Sequence, residues 1–532
     1  MREVMLVGDE RSHIVSYEPL TPTAFLERSA RVWANRPAVV DGDTMWTYAE
    51  FYDQAKRLAG ALHSLKVAAG DRVAVLGPNR PLLLTAHYAV SYAKAVLVAL
   101  NHRLNTDEIS VILRHSGAQL LLVDGAFVDR VAGIVADNPD LTVLVGGPDG
   151  TLDALWDTAE PYVAPVEDEN ALLALNYTSG TTGAPKGVMY THRGAYLQSL
   201  AMAYHTQLDT RSVMLWTLPM FHCNGWCFTW AVTAAGATHL CLPAIDTTAI
   251  WRHIRNDGVT HLNGAPTVLT MIVNDPEAAN GPAPQTVRVA SGGAPPSPTL
   301  LKELTAHGFT ITHLYGLTET YGPAAICEWQ PDWDGVSDVA LRVSRQGFGN
   351  IVSQHLRVID RDGNDVPWDA ATIGEVAIRG NNVMTGYFND PDRTGEVVRG
   401  GWFFSGDLGV IHPDGYIELR DRAKDVIISG GENITSVEVE QAILTHPSVL
   451  ECAVVAAPDE HWGEVPVAYI TCRANQQVSQ EELITHVRGQ IARYKTPRAV
   501  VFRDELPKTS TGKIQKHVLR VDAAGDWAIV SR

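Results

Sequence analysis

From about residue 37 to residue 320, short apolar runs alternate with stretches of helical period, and this alternation restricts the chain to parallel sheets layered between helices. Ala38-Val39-Val40 and Trp46-Thr47-Tyr48 form a hairpin pattern around Asp41-Gly42-Asp43. Tyr48 to Leu65 is amphipathic, Arg72 to Leu76 reads as a strand, Arg80 to Tyr92 as a helix, Asn105 to His115 as another, and Leu120 to Val123 as a strand. The rhythm resumes with Ala171 to Leu175, Val213 to Leu218, Thr238 to Leu242, His261 to Asn263, Val287 to Ser291 and Thr310 to Tyr315. Ligands of such sheets bind beyond the carboxyl ends of strands, so those ends are where function is expected.

From about Gln346 the pattern changes to short strands and turns, which predicts a small β-barrel: Leu356 to Ile359, Glu375 to Arg379, Gly401 to Leu408 and Gly415 to Leu419. A polar stretch, Asp421 to Asp425, separates this from a last α+β segment with helices near Ser436–Thr445 and Gln480–Ala492.

With 532 residues and 45% hydrophobic content, the chain has ample core for several domains. A net charge of −18 argues against a nucleic-acid partner, which would call for a basic face. Six cysteines in this length make no disulfide framework; Cys223, Cys227 and Cys241 lie among apolar neighbours and read as buried free thiols in a reducing, cytoplasmic compartment. The segment Met1 to Glu10 carries acidic residues and no apolar core, unlike a secretory signal, and the ending Ile-Val-Ser-Arg is no peroxisomal address. The most apolar window, Pro81 to Leu100, is interrupted by His87 and Lys94 and reads as a buried helix, not an integral membrane segment.

The stretch Tyr177-Thr-Ser-Gly-Thr-Thr-Gly-Ala-Pro-Lys-Gly187 follows an apolar strand and suits a polyphosphate. Gly180 and Gly183 allow backbone N–H groups to converge on one centre; Thr178, Ser179, Thr181, Thr182 and Lys186 complete an anion cradle. Its spacing is not that of a Walker loop, and taken alone it is also the composition of a flexible linker. Tyr315-Gly316-Leu317-Thr318-Glu319-Thr320 puts a hydroxyl and a carboxylate at a strand end, where a phosphate oxygen and its Mg2+ would be held, with Tyr315 available to stack on a base. Ser291-Gly292-Gly293-Ala294-Pro295 is a second glycine-rich strand end open to a flat ring. Asp407 could accept both hydroxyls of a ribose, or be a turn aspartate. Lys513 lies on a further Gly/Thr loop, Pro507 to Ile514.

These pieces, in this order and over nearly the whole chain, resemble the adenylate-forming acyl-CoA synthetase family, closest in pattern to its medium- and long-chain fatty members; luciferases and peptide-synthetase adenylation domains belong to the same family. The resembling residues are Tyr177 to Gly187, Pro219 to Trp226, Gly293 to Pro295, Tyr315 to Thr320, Gly401 to Asp407, Asp421 to Lys424 and Pro507 to Lys513. The resemblance implies a large domain, 1–422, of two parallel-type sheet subdomains plus the barrel, and a small mobile α+β domain, 423–532. It implies ATP, Mg2+ and CoA as cofactors, with a small carboxylic acid activated as acyl-AMP and passed to the CoA thiol.

On that resemblance the glycine loop and Lys186 hold the β- and γ-phosphates, Thr318 contacts the α-phosphate, and Glu319 holds the metal. Gly293, Ala294, Pro295, Tyr315 and Gly316 frame adenine, and Asp407 and Arg422 hold the ribose. Lys513 bridges acid and nucleotide. Lys424 is the hinge, about which the Ser429-Gly430-Gly431-Glu432 loop would replace Lys513 at the site. His222 is expected near the carboxylate, with Trp226 and Gly292 in the acyl pocket; core packing is the other reading for His222 and Trp226. The segment hints at an apolar, fatty or bulky acid. Several aryl-acid members carry lysine where this chain has Ile428. A free carrier protein in place of CoA, an aryl acid and a non-catalytic nucleotide binder are the other readings, and a homodimer is possible because many relatives are dimers.

Overall fold

In the computed structural model, residues 18–147, 150–178, 185–336, 342–430, 432–459, 461–474, 476–509 and 513–530 are described. A six-stranded sheet is built in the order Thr142–Val145, Leu120–Val123, Arg72–Leu76, Val96–Leu100, Leu172–Thr178, Lys186–Thr191. All neighbours are parallel except the last pair, which is antiparallel. Its strands are apolar almost throughout, as expected where helices cover both faces.

The helix Tyr48–Ser64 shows how local sequence feeds this layer. Thr47 and Glu50 close a capping box at its start, and Phe51, Ala55, Leu58, Ala59 and Leu62 recur on one buried face. The helix Pro81–Tyr92 is buried from Leu82 onward, as its apolar composition requires, and burial pushes the His87 imidazole down to about 4, so it is neutral there. No helix among the described residues is long and apolar enough to cross a membrane.

The second sheet has nine strands, in the order Phe348–Gly349, Gly322–Ile326, Phe309–Leu317, Val287–Ser291, His261–Gly264, Val213–Leu215, Thr238–Leu240, Pro37–Asp41, Thr44–Thr47. It is parallel from Phe309–Leu317 to Pro37–Asp41 and antiparallel at both edges. The N-terminal hairpin legible in the sequence therefore belongs to this sheet, joined through Val39 and Val40 to residues two hundred positions away.

The region expected to be a barrel is a five-stranded antiparallel sheet containing Arg357–Ile359, Gly374–Ile378, Val398–Arg399, Trp402–Ile411 and Ile417–Arg422. Isolated bridges Gly347–Ile417 and Ser353–Gly380 carry the intervening chain round its open side.

After Arg422 a five-stranded sheet, led by the long hairpin Val449–Asp459 and Gly463–Cys472, packs against helices Ser436–Leu444, Gln480–Arg488 and Lys516–Val530. Its two apolar clusters, around Ile427, Val454 and Leu483 and around Val467, Tyr469 and Leu519, share no residue with those of the preceding chain. The two large sheets, by contrast, share one core that includes Phe51, Tyr88, Trp216 and Trp230.

Asn79, 6% exposed, ties those two sheets at their carboxyl ends. From the loop after Arg72–Leu76 its Nδ2 donates to the carbonyls of Trp216 (2.7 Å) and Leu218 (3.0 Å), and its Oδ1 accepts from Met220 N (2.8 Å). Leucine is of similar size but satisfies none of these groups. Asn79→Leu is expected to cost about 2–4 kcal/mol and to lower the calorimetric unfolding midpoint by several degrees; an unchanged midpoint would show that the three bonds do not hold the sheets.

Candidate functional site

The nine-stranded sheet, the antiparallel sheet and the last domain meet around Lys513. Charged or titratable groups surround its ammonium: Arg422 and Asp407 from the antiparallel sheet, Lys424 just beyond it, Lys516 from its own domain, and His222 from the loop after Val213–Leu215. Lys513 keeps solvent-accessible surface yet is walled in by protein on most sides, the geometry of an open cleft between domains. That enclosure, with Arg422 nearby and Asp407 partly compensating, pushes its ammonium down to about 8. Burial and the Lys513 charge push His222 down to about 4, so its imidazole is neutral at physiological pH.

Asp407 is 4% exposed and doubly engaged. Its Oδ1 lies 3.0 Å from Arg422 Nε, and its Oδ2 accepts from the Tyr315 hydroxyl at 2.8 Å. The register Asp407↔Arg422 across an antiparallel pair sets the first contact; the second comes from the end of strand Phe309–Leu317. Tyr315, read from sequence as a base-stacking ring, is thus also a hydrogen-bond partner of the carboxylate expected to hold the ribose. Gly293 has φ +91° and open space where a Cβ would stand, and Gly293 and Ala294 are exposed, so the rim of this strand end admits a flat ring.

Thr318, Glu319 and Thr320 form a single 3-10 turn directly after that strand. The Tyr190 hydroxyl donates to Thr318 O at 2.6 Å, and the Cys223 thiol approaches Thr318 Oγ1 at 3.4 Å. Burial pushes Cys223 up to about 12, and its sulphur lies 3.9 Å from the neutral His222, so the pair forms no thiolate–imidazolium nucleophile.

Sequence reasoning missed Tyr387. Its hydroxyl donates to Glu319 Oε1 at 2.7 Å, and its ring lies 4.9 Å below the Lys186 ammonium. The backbone locks it there: Phe388 N donates to Gly187 O at 2.7 Å, Met384 N to Glu319 O at 2.8 Å, and Val188 bridges to Tyr387. Only the tertiary register of the antiparallel sheet against the 186–191 strand brings it there. Lys186 is shifted down by partial burial and by Arg393, with Glu319 opposing. Among the described residues no three His, Cys, Asp or Glu side chains form a ready cation site; the chemistry present is one carboxylate, Glu319, which fits a Mg2+ whose remaining ligands are phosphate oxygens.

Several sequence expectations change. Lys186 begins a strand: it pairs with Thr178 in an antiparallel register, and the next helix, His192–His205, starts from the Thr191 cap. Ser179, Gly180, Thr181, Thr182 and Gly183 lie outside the described residues, as does Gly431. Gly316 is glycine for packing: a Cβ there would stand 2.0 Å from Gly322 O on the antiparallel partner. Gly430 sits in a hairpin turn, its N–H donating to Trp462 O at 2.8 Å, and a Cβ would strike the Trp462 ring. The structure groups it with its own domain's hairpin, whereas the residue that domain brings to His222 and Asp407 is Lys513. Lys424 is exposed and shifted down by partial enclosure and by Arg422 and Arg520.

The His222 loop has an unusual backbone. Cys223, Asn224, Gly225, Trp226 and Cys227 have φ of +47°, +44°, +59°, +52° and +62°. A left-handed run of this kind costs each L-residue about 1 kcal/mol and persists only where tertiary contacts dictate it. Asn176 supplies them: its Nδ2 donates to Asn224 Oδ1 at 2.5 Å and its Oδ1 accepts from Asn224 N at 3.0 Å. The turn drives the Trp226 indole over the end of strand Val287–Ser291, where a Cβ at Gly292 would come within 3.1 Å of it.

Residues 26–388 match the family of AMP-binding enzymes and residues 438–513 the AMP-binding enzyme C-terminal domain. The chain is 43% identical to an acetate–CoA ligase of Humulus lupulus, over 97% of each chain. It is 41% identical to a peroxisomal acetate/butyrate–CoA ligase of Arabidopsis thaliana, over 96% of this chain and 95% of that one. Among solved structures, ATP-bound MatB from Rhodopseudomonas palustris superposes with a TM-score of 0.85 at 28% identity, covering 96% of this chain and all of that one. The chain belongs to the AMP-binding enzyme family, among its adenylate-forming acyl-CoA synthetases.

Proposed function

We propose that this enzyme is an ATP-dependent acid–CoA ligase that joins an apolar, fatty or bulky carboxylic acid to coenzyme A through an acyl-AMP. The observation that carries the reading is the meeting of Lys513 with His222, Asp407 and Arg422 at one cleft. An acid oxygen attacks the α-phosphorus of ATP, pyrophosphate leaves, and the CoA sulphur then attacks the acyl carbon and expels AMP. Phosphoryl transfer of this kind needs positioning and charge neutralisation more than covalent help, which agrees with the protonated Cys223.

In this reading Thr178, Lys186 and the glycine loop hold the outer phosphates, and Thr318 meets the α-phosphate. Gly293, Ala294, Pro295 and Tyr315 border adenine, with the Asp407–Arg422 pair at the ribose. Mg2+, when bound, lowers the negative charge of the phosphates; Glu319 would hold it, and Tyr387 aims Glu319 and Lys186 together. Neutral His222 accepts the acid beside the Lys513 ammonium, and Trp226 forms the first apolar wall of the acyl cleft. The boundary near residue 422, with Lys424 as the hinge, lets the small domain exchange Lys513 for Gly430 and Gly431 between the two steps; its separate apolar clusters support this. The six free cysteines support a reducing, cytoplasmic setting.

A panel of carboxylic acids offered with ATP, Mg2+ and either CoA or a free carrier protein, read by pyrophosphate and thioester mass, tests the function. Pyrophosphate with thioester on CoA is expected; release of neither product from any acid rejects it, and loading of the carrier alone selects the carrier-protein reading. Size-exclusion scattering decides whether the enzyme is a homodimer.

Lys513→Ala is expected to slow acyl-adenylate formation about 10²–10³-fold while leaving thioester formation from supplied acyl-AMP within about tenfold; equal losses in both steps would remove Lys513 from its role.

The Lys513 cation is present below its value of about 8 and lost above it. Accordingly kcat/KM for ATP in the first step should fall as pH rises through about 8, and Lys513→Arg should lack that fall. A flat profile in the native enzyme contradicts the assignment.

Tyr387→Phe keeps the ring under Lys186 but frees Glu319. Calorimetric titration should show ATP binding with an unchanged affinity without Mg2+ and a several-fold higher Mg2+ requirement; an unaltered Mg2+ dependence would return Tyr387 to plain packing.

A further inference from the structure

A cavity of about 250 Å3 lies on the same face of the nine-stranded sheet as Trp226. Side chains two residues apart on a strand share a face, so Ala290, in the cavity wall, stands one pleat behind Gly292, on which the Trp226 indole rests. The indole edge thus lies one pleat from the cavity wall at Ala290, on the side of His222. One pleat is about 7 Å, roughly the length of five methylene groups.

The cavity is not the greasy end expected for a fatty chain. Its walls carry Asn263, Thr310, Thr312, Arg288 and Gln207 beside Ala290. Asn263 is 2% exposed, and its Nδ2 has no hydrogen-bond partner among the described residues. The fold does not need that amide, because the contact made to Asn263 by its neighbour, from Thr217 Oγ1 at 2.7 Å, goes to the backbone carbonyl. An unpaired amide donor facing a cavity is costly unless something oxygen-bearing meets it. The guanidinium of Arg288 is turned to Gln207 Oε1, at 3.2 Å from Nε and 3.0 Å from Nη2, and the lining imidazoles of His205 and His261 are engaged by Glu328 and by Thr206 O, so the rim offers neutral amide and hydroxyl chemistry ahead of a free cation.

We propose that this cavity receives the far end of the acid, and that the preferred substrate is an ω-hydroxy carboxylic acid with an apolar stem of about five methylenes. This rests on the acid–CoA ligase reading and sharpens it. The stem passes Trp226, and the terminal hydroxyl accepts from Asn263 Nδ2. A methyl end would leave that donor dry, and a pocket built around a hydrogen bond rejects the analogue lacking it more strongly than an apolar pocket rejects an added methylene.

The test compares hexanoate, 6-hydroxyhexanoate and hexanedioate with butanoate as a short reference, each with ATP and Mg2+, by initial rates of pyrophosphate release. The native enzyme should prefer 6-hydroxyhexanoate over hexanoate by about tenfold or more in kcat/KM. Asn263→Leu should abolish or invert that preference while leaving butanoate within about twofold. Thr312→Leu, which fills the cavity from the neighbouring strand, should raise KM for both six-carbon acids and spare butanoate. Equal or better use of hexanoate, or of hexanedioate, overturns the assignment, as does a preference untouched by both variants. Absence of pyrophosphate with every acid, butanoate included, instead overturns the ligase reading.

Discussion

The left-handed turn at 223–227 depends on two asparagines that lie far away in sequence, and much of the site depends on the turn. Asn79 holds the approach through Met220, and Asn176 clamps Asn224 from the strand that leads to the glycine loop. Four of the five residues in the turn have a side chain that disfavours this backbone, and together they store several kcal/mol of local cost. What that cost secures is simultaneous placement: His222 faces the Lys513 cleft, Cys223 touches Thr318, and Trp226 lies across Gly292. A relaxed right-handed turn would rotate these three side chains apart. The anchor Asn176 lies on the strand that ends at Thr178, so that strand and the His222 turn are braced by one buried amide pair.

The alternation of apolar runs and amphipathic stretches made both parallel sheets and most of their helices readable, because each element is dictated by neighbours in sequence. Where tertiary pairing decides, the reading failed. Residues 186–191 carry a lysine and a glycine after Pro185 and look like a loop, yet they form a strand because Leu172–Thr178 offers a partner. Residues 322–326, with glycine and proline at their start, do so because Phe309–Leu317 curls back on them. The site shows the same division. Glu319, Asp407 and Lys513 stand in motifs whose chemistry is local; the structure brings Asp407 to Lys513 and Glu319 to Lys186. Tyr387 stands in no such motif; its contact with Glu319 depends on how a separate sheet docks, which no spacing reveals. At Gly316, which stands in such a motif, the structure adds a packing demand that no spacing reveals: the carbonyl of Gly322 leaves no room for a Cβ.

Charge explains why such a site is split between domains. Burial, Arg422, Lys516 and Lys424 together depress the Lys513 ammonium, and Asp407 offsets only part of this. A preformed cluster of cations in one rigid domain would repel itself whenever the anion is absent. Here Arg422 is fixed to Asp407 on the antiparallel sheet, while Lys513 is carried by a domain with its own apolar clusters. The repulsion across the cleft is then a tension between two bodies rather than strain inside one. An anion placed between them would turn that repulsion into attraction, since like cations on either side of an anion both gain. The neutral groups next to Lys513 fit this account. His222 held uncharged and Cys223 held protonated add no further positive or nucleophilic character to the cleft.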